Sequence, residues 1–249
     1  MDASLPSTPV LGVDCFVGDL DSAATALLTR AESGKGGYAC LANAHVIVTA
    51  RHEATAREAL CSAWAVFPDG APIAWLQRRA GSSQAQRIAG PDLMAAVLER
   101  GRSASVRHFL FGSTPQVLED LTNNLAAKYP GVQIVGGHAP APATERSPNA
   151  LAVIVDARPD IVWVALGAPK QELWAAQHAS ALAPALIIGV GAAFDFHAGA
   201  KARAPAWMQR SGLEWAHRLG QEPRRLGWRY LSTNSDFVRL ILQGERHRT

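Results

Sequence analysis

PDIVWVALGAPKQELWAAQH, residues 159–178, is the stretch whose reading decides the fold. Ile161 to Leu166 is a short apolar run with β-branched residues, the pattern of a strand buried on both faces of a parallel sheet. Gly167-Ala168-Pro169 is a turn, and Pro169 suits the first position of a helix. Lys170 to His178 then reads as helix, with Leu173, Trp174 and Gln177 on one side. In open α/β sheets, ligands sit outside the carboxyl ends of the strands, against helix N-termini. Lys170 and Gln171 stand at that place, where a cation and an amide suit a sugar phosphate. By itself the stretch is also a plain strand–turn–helix with solvated polar residues, so the rest of the chain has to decide.

The chain has 249 residues and is 48% hydrophobic, enough for one sizeable α/β domain with an appendage. Its three cysteines, Cys15, Cys40 and Cys61, have no metal-ligand spacing and fit a reducing compartment. The polar start shows no signal peptide, and no apolar run is long enough to span a bilayer. A cytoplasmic protein that touches a membrane surface is therefore expected. The net charge is +3, but residues 201–249 carry +6 and residues 1–200 carry −3. A basic tail of this kind suits an anionic partner: nucleic acid, anionic lipid or a diphosphate.

Outward from the opening stretch, strands are expected at Val10–Val17, Tyr38–Ala42, Trp64–Phe67, His108–Phe111, Val132–Val135 and Ala185–Val190. Helices fall between them: one capped by Asp21, an interrupted one over 46–63, and others over 72–79, 93–100 and 115–128, with one ending near Ala157. After Val190 no strand is evident, and Pro205–Leu219 and Pro223–Gln243 read as helices. The expectation is an α/β fold: a Rossmann-like, mostly parallel sheet with helices on both faces, plus a C-terminal helical appendage. The core would span 1–200 and the basic appendage 201–249.

The candidates for chemistry cluster at strand ends. Asp69, in Pro-Asp-Gly directly after a strand, could serve as a general base, but Asp-Gly is a common turn pair and, taken alone, the turn is the stronger reading. Gly112-Ser-Thr resembles a phosphate-binding turn, without the full glycine or lysine pattern of the known phosphate loops. Asp195 is either an exposed polar residue at a strand end or a buried cap, and Asn43 reads by default as a helix cap. Asp19-Leu-Asp21 matches a short metal-binding pattern of sugar transferases, but at a helix start capping is the stronger reading. No metal site and no nucleophile elbow is found. In the appendage, Arg218 and Arg225 are interleaved with Trp207, Trp215, Trp228 and Tyr230, which suits a membrane interface or a diphosphate.

Together these pieces resemble one family, the bacterial WecG/TagA/CpsF group, glycosyltransferase family 26. The motifs are Pro68-Asp69-Gly70 with Pro72 and Trp75, Arg87-Ile-Ala-Gly-Pro-Asp92-Leu, Phe109-Leu-Phe-Gly112 and Tyr129-Pro-Gly131. They continue with Gly167-Ala-Pro-Lys-Gln-Glu172, Gly189-Val-Gly-Ala-Ala-Phe-Asp195-Phe and Arg203-Ala-Pro-Ala-Trp-Met-Gln209. The last is Gly212-Leu-Glu-Trp215, running on to Arg218 and Gln221-Glu-Pro-Arg-Arg225. They occur in order over roughly residues 10–240.

The resemblance implies an inverting transferase that moves a sugar, foremost N-acetylmannosamine, from a UDP-sugar to an undecaprenyl-diphosphate-linked sugar, in cell-surface polysaccharide or wall teichoic acid synthesis. It implies Asp69 as the catalytic base, with Asn43, Arg87 and Gln171 as pocket residues near it. Lys170, Asp195 and Gly112 are further candidates for substrate binding. Arg218 and Arg225 would close over the site at the membrane. No cofactor is implied and no metal is expected, so cations must meet the leaving diphosphate. Leu41 stands two residues before the asparagine, where the family commonly has Thr, and this leaves the donor sugar open. The expected partners are a UDP-sugar donor, a prenyl-diphosphate-linked sugar acceptor and the inner face of the cell membrane, touched peripherally. No nucleic acid is expected, and there is room for a homo-oligomer. Two alternatives stand beside this reading. One is a UDP-glucose-dependent exopolysaccharide glucosyltransferase of the same family. The other is a non-catalytic nucleotide- or nucleic-acid-binding module.

Overall fold

A computed structural model describes the backbone of residues 5–141 and 143–246. The side chains of residues 210, 224–226, 228–232 and 244–246 lie outside the described residues, and Arg225, Trp228 and Tyr230 are among them.

The chain begins with β1 (Ser7–Val10) and β2 (Val13–Phe16), an antiparallel hairpin. A single strand over Val10–Val17 was the expectation. The chain instead turns at Leu11-Gly12, both at positive φ (50° and 87°), which lets a two-residue loop join the strands. Then come α1 (Leu20–Glu32), β3 (Gly37–Ala42), α2 (Ala44–His52), α3 (Ala54–Cys61) and β4 (Ala65–Pro68). They are followed by α4 (Ala71–Arg79), α5 (Gly90–Gly101), β5 (Arg107–Gly112), α6 (Pro115–Lys128) and β6 (Gln133–His138). The second half continues with α7 (Pro148–Ala157), β7 (Ile161–Ala165), α8 (Lys170–His178), β8 (Leu186–Gly189) and α9 (Ala193–His197). Three helices close the chain: α10 (Ala206–Arg210), α11 (Glu214–Gln221) and α12 (Pro223–Arg246).

Six strands form one all-parallel sheet in the order β4-β3-β8-β7-β5-β6. Successive side chains of each strand point to opposite faces, and the core divides accordingly. Leu41, Ile161, Trp163 and Ile188 pack with α1, α5, α6 and α9 through residues such as Leu27, Leu93, Leu121 and Phe194. Cys40, Val162, Val164 and Ile187 pack on the other face with α2, α3, α7 and α8 through Ile47, Leu60, Ile154 and Trp174. A sheet covered on both faces explains the nearly unbroken apolar strands. The helix after β3 lies on one face and the helix after β8 on the other. Their loops therefore diverge from two adjacent strand ends, which opens a crevice there.

Asp19 rather than Asp21 caps α1: its carboxylate accepts from the Ser22 backbone N–H at 2.8 Å, and the Ser22 hydroxyl closes the capping box. Asp21 instead pairs with Arg100 of α5. The helix expected over 205–219 is broken into α10 and α11 at Gly212, where φ is 75° and an added Cβ would lie 2.8 Å from that of Ala71. On α8 the buried side is Gln171, Trp174, Ala175 and His178, while Gln177 faces solvent. Of the expected Leu173–Trp174–Gln177 side, Trp174 is buried and Leu173 half-buried, and only the polar Gln177 stays in solvent. The end of α12 lies against α2: Phe237 is 5% exposed within the second core half, and His45 Nδ1 lies 3.2 Å from Thr233 Oγ1.

Candidate active site

Strand ends assemble the site. Ala42 pairs with Pro68 at the carboxyl ends of β3 and β4, so Asn43 and Asp69 leave the sheet side by side. The Asp69 backbone N–H donates to the Ala42 carbonyl at 2.9 Å, which ties the two loops together. Asn43 caps α2, its side-chain oxygen accepting from the Val46 N–H at 3.2 Å, and its side chain also hydrogen-bonds Asp69. Asn43 thus caps α2, as its default reading has it, and its side chain also meets Asp69. Ile88 N–H donates to the Pro68 carbonyl at 2.8 Å, which brings Arg87 to the same strand end.

Asp69 carries the electrostatics of this corner. Burial pushes its carboxyl above the usual aspartate range, and the negative charge of Glu214 adds to this. The positive charges of Arg87 and Arg218 and the hydrogen bond from Asn43 pull the other way. A carboxylate with raised proton affinity, held beside two cations, has the properties of a general base. Arg218 comes from α11, 149 positions along the chain, and is half-buried.

Across the crevice Gln171 is buried above the end of β8. A Cβ added at Gly189 would lie 3.1 Å from its Nε2, and one at Gly191 would lie 3.5 Å from its Oε1. Glycine at these positions makes the room that the amide occupies. Gln171 Nε2 donates to Glu172 Oε1 at 2.9 Å, whereas Gln171 Oε1 and Glu172 Oε2 find no partner among the described residues. Glu172 is 1% exposed, and burial pushes its carboxyl up to about 7. Its folded-state affinity for a proton exceeds the unfolded one, so it favours the fold at low pH and withdraws that support as pH rises toward 7. Urea unfolding from pH 4.5 to 8 is expected to show the Glu172→Gln variant losing less stability over this window than wild type. The full difference is on the order of 3 kcal/mol. Parallel curves would show that Glu172 titrates normally.

Gly112 has φ of 111° and an added Cβ would lie 2.6 Å from the Ala165 carbonyl oxygen, so close passage against β7 alone requires glycine there. Lys170 is exposed at the first position of α8. Asp195 is half-buried on α9 and paired with Lys201 at 2.7 Å, neither a strand-end residue nor a cap. Leu41 is buried in the core against α5, its Cδ1 3.0 Å from where a Gly90 Cβ would be, and does not form an open pocket rim. The side chain of Arg225 lies outside the described residues. An open cleft of about 450 Å³ is lined by Arg87 together with Ala71, Ala74, Arg78, Gln86, Asp92 and Gln209. Among the described residues no cluster of metal-ligating side chains occurs.

Two acidic residues were missed as candidates, Glu172 and Glu214. Glu214 lies among apolar neighbours in Gly-Leu-Glu-Trp, whereas Glu172 follows the polar Lys170 and Gln171 in Pro-Lys-Gln-Glu. A lone charge among apolar residues, as at Glu214, is the signal that it is buried and paired; Glu172 carries no such signal.

Comparison with known proteins gives the same direction. The model of the glycosyl transferase WecG/TagA/CpsF family matches residues 8–249. An N-acetylglucosaminyldiphosphoundecaprenol N-acetyl-beta-D-mannosaminyltransferase of Bacillus spizizenii (strain W23) is 28% identical over 243 residues, 97% of this chain and 93% of the relative. A protein of the same name from Bacillus subtilis (strain 168) is 30% identical over 191 residues, 77% of this chain and 73% of the relative.

Proposed function

The chain belongs to the WecG/TagA/CpsF glycosyltransferase family, and on that premise we propose that it transfers N-acetylmannosamine from a UDP-sugar to undecaprenyl-diphosphate N-acetylglucosamine. The observation that carries the reading is the convergence of Asp69, Asn43 and Arg218 at the carboxyl ends of β3 and β4. Transfer of this sugar to this acceptor is what the names of the two Bacillus relatives describe.

In the proposed reaction, Asp69 takes the proton of an acceptor hydroxyl. The freed oxygen attacks the anomeric carbon and forms the new glycosidic bond. The bond from that carbon to the diphosphate oxygen breaks on the opposite side, UDP leaves with the electron pair, and the configuration inverts. The charge that develops on the diphosphate is met by protein cations, with Arg218 and Lys170 as the candidates, and no metal is required. Gln171, fixed over Gly189, offers its amide to the sugar or nucleotide.

The membrane-anchored acceptor must reach this site from a bilayer. Among the described residues no helix is long and apolar enough to cross one. Contact from the side is supported by Trp75, Trp207, Leu213 and Trp215, large apolar side chains exposed on α4 and on the segment beside it, Trp207 at 59%. Tryptophans of this kind settle at the headgroup level, and the basic surplus of residues 201–249 adds attraction to anionic lipid. The proposed location is therefore the inner face of the cell membrane, with peripheral contact.

The test is a donor panel with a short prenyl-diphosphate N-acetylglucosamine as acceptor. UDP-N-acetylmannosamine is expected to give UDP release and a disaccharide product. UDP-glucose, UDP-N-acetylglucosamine and the N-acetylmannosaminuronic acid donor are expected to react at least ~10-fold more slowly, the discrimination a few misplaced contacts provide. Preference for UDP-glucose would replace the N-acetylmannosamine reading with the exopolysaccharide one.

A further inference from the structure

Arg87 is read from the sequence as a pocket ligand, yet both of its terminal nitrogens are taken by the C-terminal segment. Nη1 donates to the Gln209 carbonyl at 3.0 Å, and Nη2 is ion-paired with Glu214 of α11. Glu214 is 8% exposed and holds a second cation, Arg203 Nε, at 3.5 Å. Arg203 in turn grips Asp92 of α5 through both terminal nitrogens, the second at 2.7 Å. Gln209 is itself fixed, its Nε2 donating to the Ala204 carbonyl at 2.6 Å. A second tie stands further along, where Lys201 bridges Asp195 at 2.7 Å and Glu222 at 2.8 Å.

These contacts alternate in origin. Arg87, Asp92 and Asp195 belong to the sheet domain, while Arg203, Gln209, Glu214 and Glu222 belong to the segment that leads into α12. The planar fork of an arginine, with two partners from one short segment, orients that segment as a point charge could not. One turn along α11 from Glu214 is Arg218, the cation that faces Asp69.

We propose that Arg87 is a positioning residue: with Glu214 it forms a clasp that seats α11 over the strand ends and so delivers Arg218 to Asp69. The clasp rests on the reading of Asp69 and Arg218 as the working groups of transfer. It assigns the cost of losing Arg87 to the displacement of α11, not to a lost substrate contact.

A double-mutant cycle separates the two. Arg87→Ala and Glu214→Ala are each expected to lower kcat by about 30-fold, and the double variant by no more than about threefold beyond the worse single, because both remove one device. Hydrogen exchange of the amides of residues 214–221 is expected to accelerate in all three variants, with the amides of β7 and β8 unchanged as the check on folding. UDP binding by calorimetry is expected to change by less than about threefold in Arg87→Ala, since the clasp makes no nucleotide contact. The clasp is overturned by Glu214→Ala with near-wild-type kcat, by losses that multiply in the double variant, or by unaltered exchange in α11. If wild type itself transfers no sugar, the proposed function fails, and the exchange result still judges the clasp.

Discussion

Replacing Asp69 with Asn is expected to lower kcat by about 10²–10⁴-fold while leaving the fold and UDP-sugar binding intact, which is the range that correctly placed general-base help supplies. The substitution keeps the shape of the side chain and its contact with Asn43. What it removes is the negative charge between Arg87 and Arg218 and the site that receives the proton. The residual rate would come from orientation of the substrates and from the cations facing the diphosphate, neither of which needs Asp69. The pH profile gives an independent check. Since burial holds the Asp69 carboxyl above its ordinary value of 3.8, the acid limb of kcat/KM in wild type should lie above that value and be absent from the residual activity of the variant. Activity within threefold of wild type in initial-rate assays would remove Asp69 from the role of base.

The sheet was largely legible because its strands are buried on both faces. Ile161–Leu166 and Tyr38–Ala42 read as unbroken apolar runs, and the structure places β7 and β3 within a residue of those bounds. The hairpin of β1 and β2 was not, since Leu11-Gly12 lacks the Asn-Gly or Asp-Gly pair that marks a tight turn. Nor was α9, whose five residues are too few for helical periodicity to show. Within the site, Asp69 and Asn43 stand at strand ends, beside the crevice of an open sheet. Position alone reads them as a turn residue and a helix cap, and only the family resemblance singles them out as site candidates. The partners that set their electrostatics could not be read. Glu214 meets Arg87 across 127 positions of chain, and nothing local announces such a pair. Gln171 and Lys170 show the same limit from the other side. They are neighbours at one helix start, and only the packing against Gly189 and Gly191 makes one of them buried and leaves the other exposed.

Ending the chain after Ala200 is expected to abolish transfer to the lipid acceptor. Two losses would combine. The first is chemical: Arg218 leaves the neighbourhood of Asp69, and Arg87, Asp92 and Asp195 lose the partners that the segment supplies. The second is structural. Phe237 is part of the core half that covers α2, with Leu240 and Ile241 packed beside it. At roughly 1.5–3 kcal/mol per buried apolar side chain, their removal costs on the order of 5 kcal/mol, out of a total stability of roughly 5–15 kcal/mol. The six strands all end before residue 190, so a sheet that still binds UDP-sugar is expected in the cold, with a thermal midpoint lower by roughly 10–20 °C. Arg218→Ala separates the two losses. It leaves the packing of α12 on α2 in place, so the midpoint should stay within a few degrees, while kcat falls by about 10²–10³-fold, the usual cost of removing one group that faces developing negative charge. Differential scanning calorimetry and a UDP-release assay on the same two preparations decide the matter. Transfer at the wild-type rate by the truncated chain would show that the site is complete within residues 1–200, and an unchanged kcat in Arg218→Ala would show that this arginine does not face the diphosphate.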